Sequence, residues 1–393
     1  MNKKTIPDKF LYIPILILGL YFLFRLINQS KIISVFPLDK YNDWASYIAQ
    51  LYFLKVCGFH NFCPYWYNGF INFQISQPGW YFFIYPLYLI INNVQLTAYL
   101  SLIISYLFSL IVLYINRIKL GLSKVKVFAF FLLLFGNAVA IGNYIRVGKI
   151  HELFGWFNLI VIFVFLIIYK NKKLDKNFLF IIPFYFFAIL SHQNSAIISS
   201  LALLGLFFIK TFKEKLIIIL TALITIIATS FWLFDYIKNF FNTTSATIIV
   251  ANTLRVINKA TLNDNIVATI VPIIFFIILY FYLKSVNNRK KEFIFLLPQI
   301  VIAFLVLTRL ILFIPIINHV FPDSYNMFLL FFAIFMFFNI DFNLIKKYKI
   351  FIIFGLIFFS LLSITLNIIF TANFISHTQL EEETLSMFPY VDD

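Results

Sequence analysis

Apolar runs of about twenty residues, separated by short connectors rich in Lys and Arg, recur along the whole of this 393-residue chain. Twenty such residues in a helix cover ~30 Å, the depth of a bilayer's hydrocarbon core. A chain built this way folds within lipid. Its composition agrees: 62% of residues are hydrophobic and 12% charged, where soluble domains average about 25% charged, so a soluble globular protein is excluded. The 54 phenylalanines accompany abundant Ile, Asn, Lys and Tyr, as A/T-rich codon usage would produce, and carry no functional meaning by themselves. The pattern predicts an all-α polytopic membrane protein, a single integral domain over residues 1–393 with no separate aqueous domain.

The net charge of +15 is a matter of side. Placing the basic connectors in the cytoplasm under the positive-inside rule sorts the whole chain without contradiction. Lys3 to Lys9, Arg117 to Lys126, Lys170 to Lys176, Lys210 to Lys215, Lys284 to Lys291 and Lys346 to Lys349 fall inside. Only Asp8, Asp175, Glu214, Glu292 and Asp341 accompany them. The basic excess reports topology, and no nucleic-acid partner is implied. About eleven crossings follow, near 9–28, 95–116, 126–143, 153–170, 177–191, 194–210, 216–235, 266–284, 293–313, 324–340 and 349–371. The N-terminus is then cytoplasmic and the C-terminus outside, in a multi-pass protein of the cell membrane. The first segment lacks a small-residue cleavage site and reads as a retained helix. Residues 79–92 are apolar but short, and a crossing there would invert every later loop, so they read as an interfacial or re-entrant helix. Outside lie a first loop at 29–94, a second larger loop at 236–265 and an acidic tail at 372–393.

This topology puts all five histidines outside, with Asp43, Arg146, Glu152, Asp235, Asp264 and Asp323. The nearest ionisable group to mid-bilayer depth is Arg309, close to the outer end of its helix. Residues 178–210 must rise and return between cytoplasmic lysines, which leaves each arm roughly fifteen residues, or ~22 Å, short of the ~30 Å core. The polar tip Ser191-His192-Gln193-Asn194-Ser195 therefore stops below the outer surface. Either neighbouring helices satisfy it or it floors an outward-open cavity.

In the first loop, Trp44, Tyr47, Ile48, Leu51 and Leu54 recur at helical spacing with Ser46 and Gln50 opposite, an amphipathic surface helix opened by Asp43. That carboxylate either caps the helix or points into the cavity as a general base or metal ligand. Cys57, His60 and Cys63 offer three zinc ligands without a fourth, and an oxidising compartment favours a disulfide or two plain thiols. Trp66, Trp80 and Tyr81 provide either sugar-stacking rings or an interfacial aromatic belt.

In order, Asp43 on a surface helix, Pro64, Trp66 and Gly69, then Pro78, Tyr81 and Pro86 leading to a short helix, resemble the type-C glycosyltransferases, membrane enzymes that move sugars from polyprenyl phosphate carriers. The closest likeness is to their prokaryotic group of pyruvoyl-tetrahydropterin-synthase-related membrane proteins. Arg146-Val-Gly148-Lys-Ile-His-Glu152-Leu resembles the Arg-x-Gly…Glu-Leu stretch of that group's next outer loop, and His192 and Phe321-Pro322-Asp323 fall at corresponding places. The likeness runs over roughly residues 10–210 and then fades. Ser46 and Tyr47 stand where many members have His a turn after the loop Asp, and Ser324 where an Arg often follows the late Asp.

The resemblance implies a membrane glycosyltransferase acting at the extracytoplasmic face on a lipid-linked sugar donor. Such transfer needs a base for the acceptor hydroxyl and a cation for the departing phosphate. Asp43 is the expected base, with Glu152 as second choice. Arg146 and Lys149 are the expected phosphate contacts; headgroup contact or snorkelling is the competing account of them. His192, Gln193, Trp66 and Tyr81 would position the substrate. A divalent metal is compatible with the reaction, though no ligand cluster in the sequence demands one. Two other classes stay open. A polysaccharide polymerase would use the loop at 236–265, which holds Arg255, Lys259 and an Asn242-Thr243-Thr244 sequon. A transporter or lipid flippase would show broken midplane helices, internal repeats or intramembrane ion pairs, none of which the sequence displays.

Overall fold

The computed structural model describes residues 5–37, 43–65, 69–74, 76–242, 254–255 and 261–371. Trp66, the C-terminal tail with His377, and most of the 236–265 loop, including Lys259 and the sequon threonines, lie outside the described residues. The apolar runs are helices. In chain order they are α1 (Tyr12–Gln29), α2 (Trp44–Cys57), α3 (Gly79–Ile91), α4 (Val94–Ile115), α5 (Lys124–Phe135), α6 (Ala138–Val147), α7 (Ile150–Tyr169), α8 (Ile181–Ser191), α9 (Gln193–Ile209), α10 (Phe212–Asn242), α11 (Leu262–Ser285), α12 (Arg289–Phe295), α13 (Leu297–Leu307), α14 (Pro322–Phe338) and α15 (Lys349–Thr371). Among the described residues the only strands form a two-residue hairpin, Phe62–Cys63 against Phe70–Ile71.

Among the described residues six helices are long and apolar enough to cross a membrane, and a seventh if α5 and α6 count as one bent span. Five more apolar helices, α8 with its leading turn, α3, α9, α13 and α14, run between ten and 17 residues, shorter than the ~20 residues of a full crossing. The molecule is thus an all-α multi-pass membrane protein. On their outward faces α1, α10, α11 and α15 present side chains such as Leu16, Ile227, Ile277 and Phe354, each more than half exposed. An apolar surface of that extent belongs against lipid tails.

α7 is the exception that organises the rest. It is apolar nearly all round, and 18 of its residues are buried, as expected of a helix at the centre of a bundle. α4, α8 and α9 pack directly on it. Gly155 makes the α9 contact close: a methyl there would lie 2.1 Å from Ser195 Oγ.

The expected crossing at 126–143 is not one straight helix. α5 stops at Gly136, and α6 leaves at 56°. Asn137 causes the break. Its side chain accepts from Ala140 N and donates to the carbonyls of Leu133 and Leu134, so it caps both pieces at once. α6 ends in a π-helical stretch, Ile141–Val147, closed by Gly148 with φ of +81°. A broken helix therefore exists where the sequence displayed none. The run at 293–313 is likewise divided, between α12 and α13 at Leu296.

The polar ends sort into two groups, each brought together from distant sequence. Lys170 pairs with Glu292 at 2.8 Å, Lys210 donates to the carbonyl of Lys172, Lys291 to Asn171, Lys126 to Thr5 and Ser123 to Asp8. All belong to connectors that charge alone assigns to one side. Arg309 sits in a left-handed turn after α13. Its guanidinium donates to Ala268 O, Asn265 O and Thr269 Oγ1, clamping α13 to the first turns of α11.

Candidate functional site

At the end opposite the Lys170–Glu292 pair, α7, α9, α11 and α14 all begin. Their first turns carry Glu152, Asn194, Asp264 and Asp323. Four helix N-termini bring the positive ends of their dipoles to one place.

The first loop is fastened to this place. Asp43 N donates to Val147 O at 2.6 Å, and Trp44 Nε1 to Ile145 O at 3.0 Å. The indole lies over Gly148, where a Cβ would come 2.3 Å from the ring. α2 buries Trp44, Ile48, Leu51 and Leu54, the face its spacing predicts. Gln50, expected on the solvated side, instead bonds Ser76 Oγ and accepts from Tyr81 OH. Asp43 stands at the N-cap of α2, yet its side chain makes no cap bond. It accepts from Tyr47. Burial lifts the Asp43 carboxyl above its ordinary range; Lys149 and the Tyr47 bond offset part of that rise, and Glu152 adds to it. Burial and the Asp43 charge hold Tyr47 as a neutral phenol.

Lys149 Nζ lies 3.4 Å from Asp323 Oδ2 and 4.7 Å from the centre of the Phe321 ring. Burial opposes its charge, but Asp323, Glu152 and Asp43 together outweigh that and hold the ammonium above the ordinary lysine value. Asn143 Nδ2 donates to the same Asp323 oxygen.

Beneath this pair lies Glu152, 1% exposed. Its Oε1 accepts from Asn194 Nδ2 at 3.2 Å and from Ser324 Oγ. Its Oε2 is buried without a hydrogen-bond partner among the described residues, as are Asn194 Oδ1, Ser195 Oγ and His151 Nδ1. A buried carboxylate oxygen in that state is costly in a folded protein unless a ligand or ordered water meets it. His151 and His192 stand with ring centres 5.1 Å apart, and Tyr47 covers His151 at 4.2 Å. His192 Nδ1 accepts from Asn194 N, which leaves Nε2 to carry the proton of a neutral ring.

A polar cavity of about 160 Å³ opens beside this cluster, lined by Asn143, Arg146, Val147, Asp264 and Asp323 among others. Asp323 joins the two, facing Lys149 on one side and the cavity on the other. Among the described residues no three His, Cys, Asp or Glu side chains group as metal ligands.

The structure therefore gathers Asp43, Lys149, Glu152 and His192, with Arg146 on the cavity wall. Tyr81 stands near enough to Asp43 and Tyr47 to act on both electrostatically, with its hydroxyl donated to Gln50, whereas Gln193 faces away. Neither His192 nor Gln193, expected in a cavity floor, lines this 160 Å³ cavity. Gln193 accepts from Tyr236 OH at 3.0 Å and donates to His319 O, in a mainly apolar hollow on the other face of α9. Tyr81 is fully buried between Trp80 and Phe73. Cys57 and Cys63 form a disulfide, which removes both thiols from the zinc set. Sequence reasoning left Asn194, Ser324, Asn143 and Tyr47 out of the site. Asn194 had a signal in the polar hairpin tip, and Tyr47 and Ser324 stood at positions where the resembling family carries His and Arg; Asn143 had none.

Comparison of the chain with protein-family models, with curated proteins and with solved structures finds no match in any of the three.

Proposed function

We propose that this protein transfers a sugar from a polyprenyl-phosphate-type donor to an acceptor hydroxyl at the extracytoplasmic end of a GT-C-like helical bundle of about eleven crossings. The observation that carries the proposal is the grouping of Asp43 and the underbonded Glu152 around Lys149, with Arg146 on the wall of the adjoining cavity. Asp43, raised by burial and close to the cavity, takes the proton of the acceptor hydroxyl. The acceptor oxygen bonds to the anomeric carbon as the bond from that carbon to the phosphate oxygen breaks. The phosphate leaves with the electron pair, met by Arg146, Lys149 and the helix dipoles. Glu152, fixed by Asn194 and Ser324, orients a sugar hydroxyl through Oε2 and is the reserve base.

The test is direct. Purified protein in lipid vesicles is given labelled polyprenyl-phosphate sugars with candidate acceptors, and glycoside formation is compared for wild type and Asp43→Asn. Formation of a glycosidic bond that the substitution abolishes supports the reading; a bond formed at an undiminished rate removes Asp43 as base. The bend between α5 and α6 favours one second reading, a lipid flippase. Label crossing the bilayer with no new glycosidic bond would establish that reading and end the first.

A further inference from the structure

A cavity of about 310 Å³ lies at the basic end of the bundle, between the connector that follows α4 and the one that follows α7. Lys119 reaches it from the first connector and Lys172 from the second. Other lysines at this end are bonded across elements: Lys126 to Thr5, Lys170 to Glu292 and Lys291 to Asn171. The ammonium groups of Lys119 and Lys172 enter no ion pair or hydrogen bond among the described residues. The other polar groups of the lining are already engaged. Asn116 Nδ2 donates to Val112 O at 2.9 Å, and Tyr169 OH to Asp175 at 2.7 Å. Asp175 also accepts from Asn177 N, as the cap of the turn that leads into α8. One carboxylate, held in that cap, stands against two open ammonium groups, and the lining keeps a net positive charge. The rest of the wall is apolar, formed by Phe165 and Ile168 of α7 and by Phe180 just before α8. Phe180 is more than half exposed, as are Ile115 and Ile118 beside Lys119 in the sequence. About 12 Å further along α7, the Phe157 ring meets Phe108 of α4 and Phe184 of α8, so rings of three helices continue the apolar wall away from the basic end.

We infer that this cavity holds the headgroup of an anionic phospholipid from the leaflet that meets the basic end, with an acyl chain along the phenyl wall. With the neutral donors spent, what the cavity offers is charge, and charge recognises an anion. Two ammonium groups act as point charges on a phosphodiester and need no planar fork. A basic pocket between helix ends at the membrane surface is within reach of lipid headgroups, and its volume suits a small ligand. A soluble phosphate would satisfy the lysines and leave the rings unmet; the rings select the lipid as the source of the phosphate. Bound there, one lipid bridges the connector after α4 to the connector after α7 and adds to stability by mass action. The site lies at the opposite end from Asp43 and Lys149 and rests on nothing in the proposed sugar transfer.

The experiment places the full chain in nanodiscs of phosphatidylcholine with a small share of phosphatidylglycerol that carries a diazirine on one acyl chain. Crosslinks should concentrate around Phe165, Ile168 and Phe180 and be competed by untagged phosphatidylglycerol, but not by added phosphatidylcholine. Each ammonium at a membrane surface is worth about fivefold in binding an anionic lipid. Lys119→Gln combined with Lys172→Gln should therefore cut that labelling by about thirtyfold, while Lys119→Arg with Lys172→Arg keeps most of it. Lys173→Gln with Lys176→Gln removes the same charge from the same end but outside the lining, and should change labelling by no more than about twofold. Phosphatidylglycerol should raise the unfolding temperature of the wild type and not that of the Lys119 and Lys172 double Gln variant, and the two proteins should unfold alike without it, which shows the variant folded. Labels spread over all outward helices, or equally weakened by either double Gln substitution, would mean a general response to a basic surface and overturn the site. Competition by soluble glycerol phosphate as strong as by the lipid would overturn the lipid assignment. Because no arm contains a sugar, the result stands or falls apart from the transfer reaction.

Discussion

Each end of the bundle sets a lysine against a carboxylate, one pair buried and the other part-exposed, and the two are built differently. At the basic end Lys170 and Glu292 meet at 2.8 Å, Tyr282 donates to the same carboxylate at 3.0 Å, and Phe295 and Phe335 flank the ammonium. Every strong contact there is closed, as a pair that holds helices together requires. At the other end Lys149 and Asp323 stand 3.4 Å apart beside a cavity, with two further carboxylates, Asp43 and Glu152, acting on the same ammonium. Three carboxylates around one part-exposed lysine, one of them with an oxygen unpartnered among the described residues, do not serve cohesion well. The same residue types thus do structural duty where their bonds are complete and mark a working site where they are not.

Substitutions can break or sharpen that contrast. The largest effect expected is on chemistry: Asp43→Asn should lower transfer by about 10²–10⁴-fold, the usual range for a lost general base, with little change in unfolding temperature. Activity measured in vesicles and unfolding measured in detergent separate the two. At the closed end the pattern reverses. Glu292→Gln should cost about 3–5 kcal/mol by leaving a buried ammonium uncompensated, read as a lower unfolding temperature, while the turnover of protein that remains folded is unchanged. If Glu292→Gln instead lowered turnover without lowering stability, the division between the ends would collapse.

A smaller effect tests the packing that brings α7 and α9 together. Gly155→Ala should destabilise by about 1–3 kcal/mol because the new methyl meets the Ser195 hydroxyl. Gly155→Ala with Ser195→Ala should recover part of that loss, and a strictly additive double variant would refute the contact. The smallest effect is a displaced pH profile. Because burial raises the Asp43 carboxyl, the base form is lost on acidification at a higher pH than for an ordinary aspartate, so the acid limb of activity should be shifted upward. Lys149 works against that rise, so Lys149→Gln should move the limb further up. A downward shift would separate Lys149 from Asp43.

Much of the fold was written in local patterns. The apolar runs located the helices, and the buried face of α2 followed from its spacing. The turn at His192 followed from a polar tip set midway between two basic connectors. Same-side grouping of the connectors followed from charge alone, and the contacts between Lys170 and Glu292 and between Lys172 and Lys210 agree with it. What escaped was set by long-range geometry or by rotation about an axis. Asn194 and Gln193 are neighbours, but successive residues of a helix point ~100° apart, so once Asn194 faces Glu152 its neighbour must face Tyr236. Ser324 bonds a carboxylate 172 residues away, which no pattern in one sequence discloses. The break at Gly136-Asn137 was visible in principle, since a glycine followed by a capping residue interrupts an otherwise continuous apolar run.

Gly79, the first residue of α3, rests on the backbone of Leu190 and Ser191, leaving no room for even a methyl group between them, which would stand 2.8 Å from their main-chain atoms. Main chain pressed on main chain cannot slide as side chains do. The wall shared by the first loop and the hairpin tip is therefore stiff, and the two move as one piece.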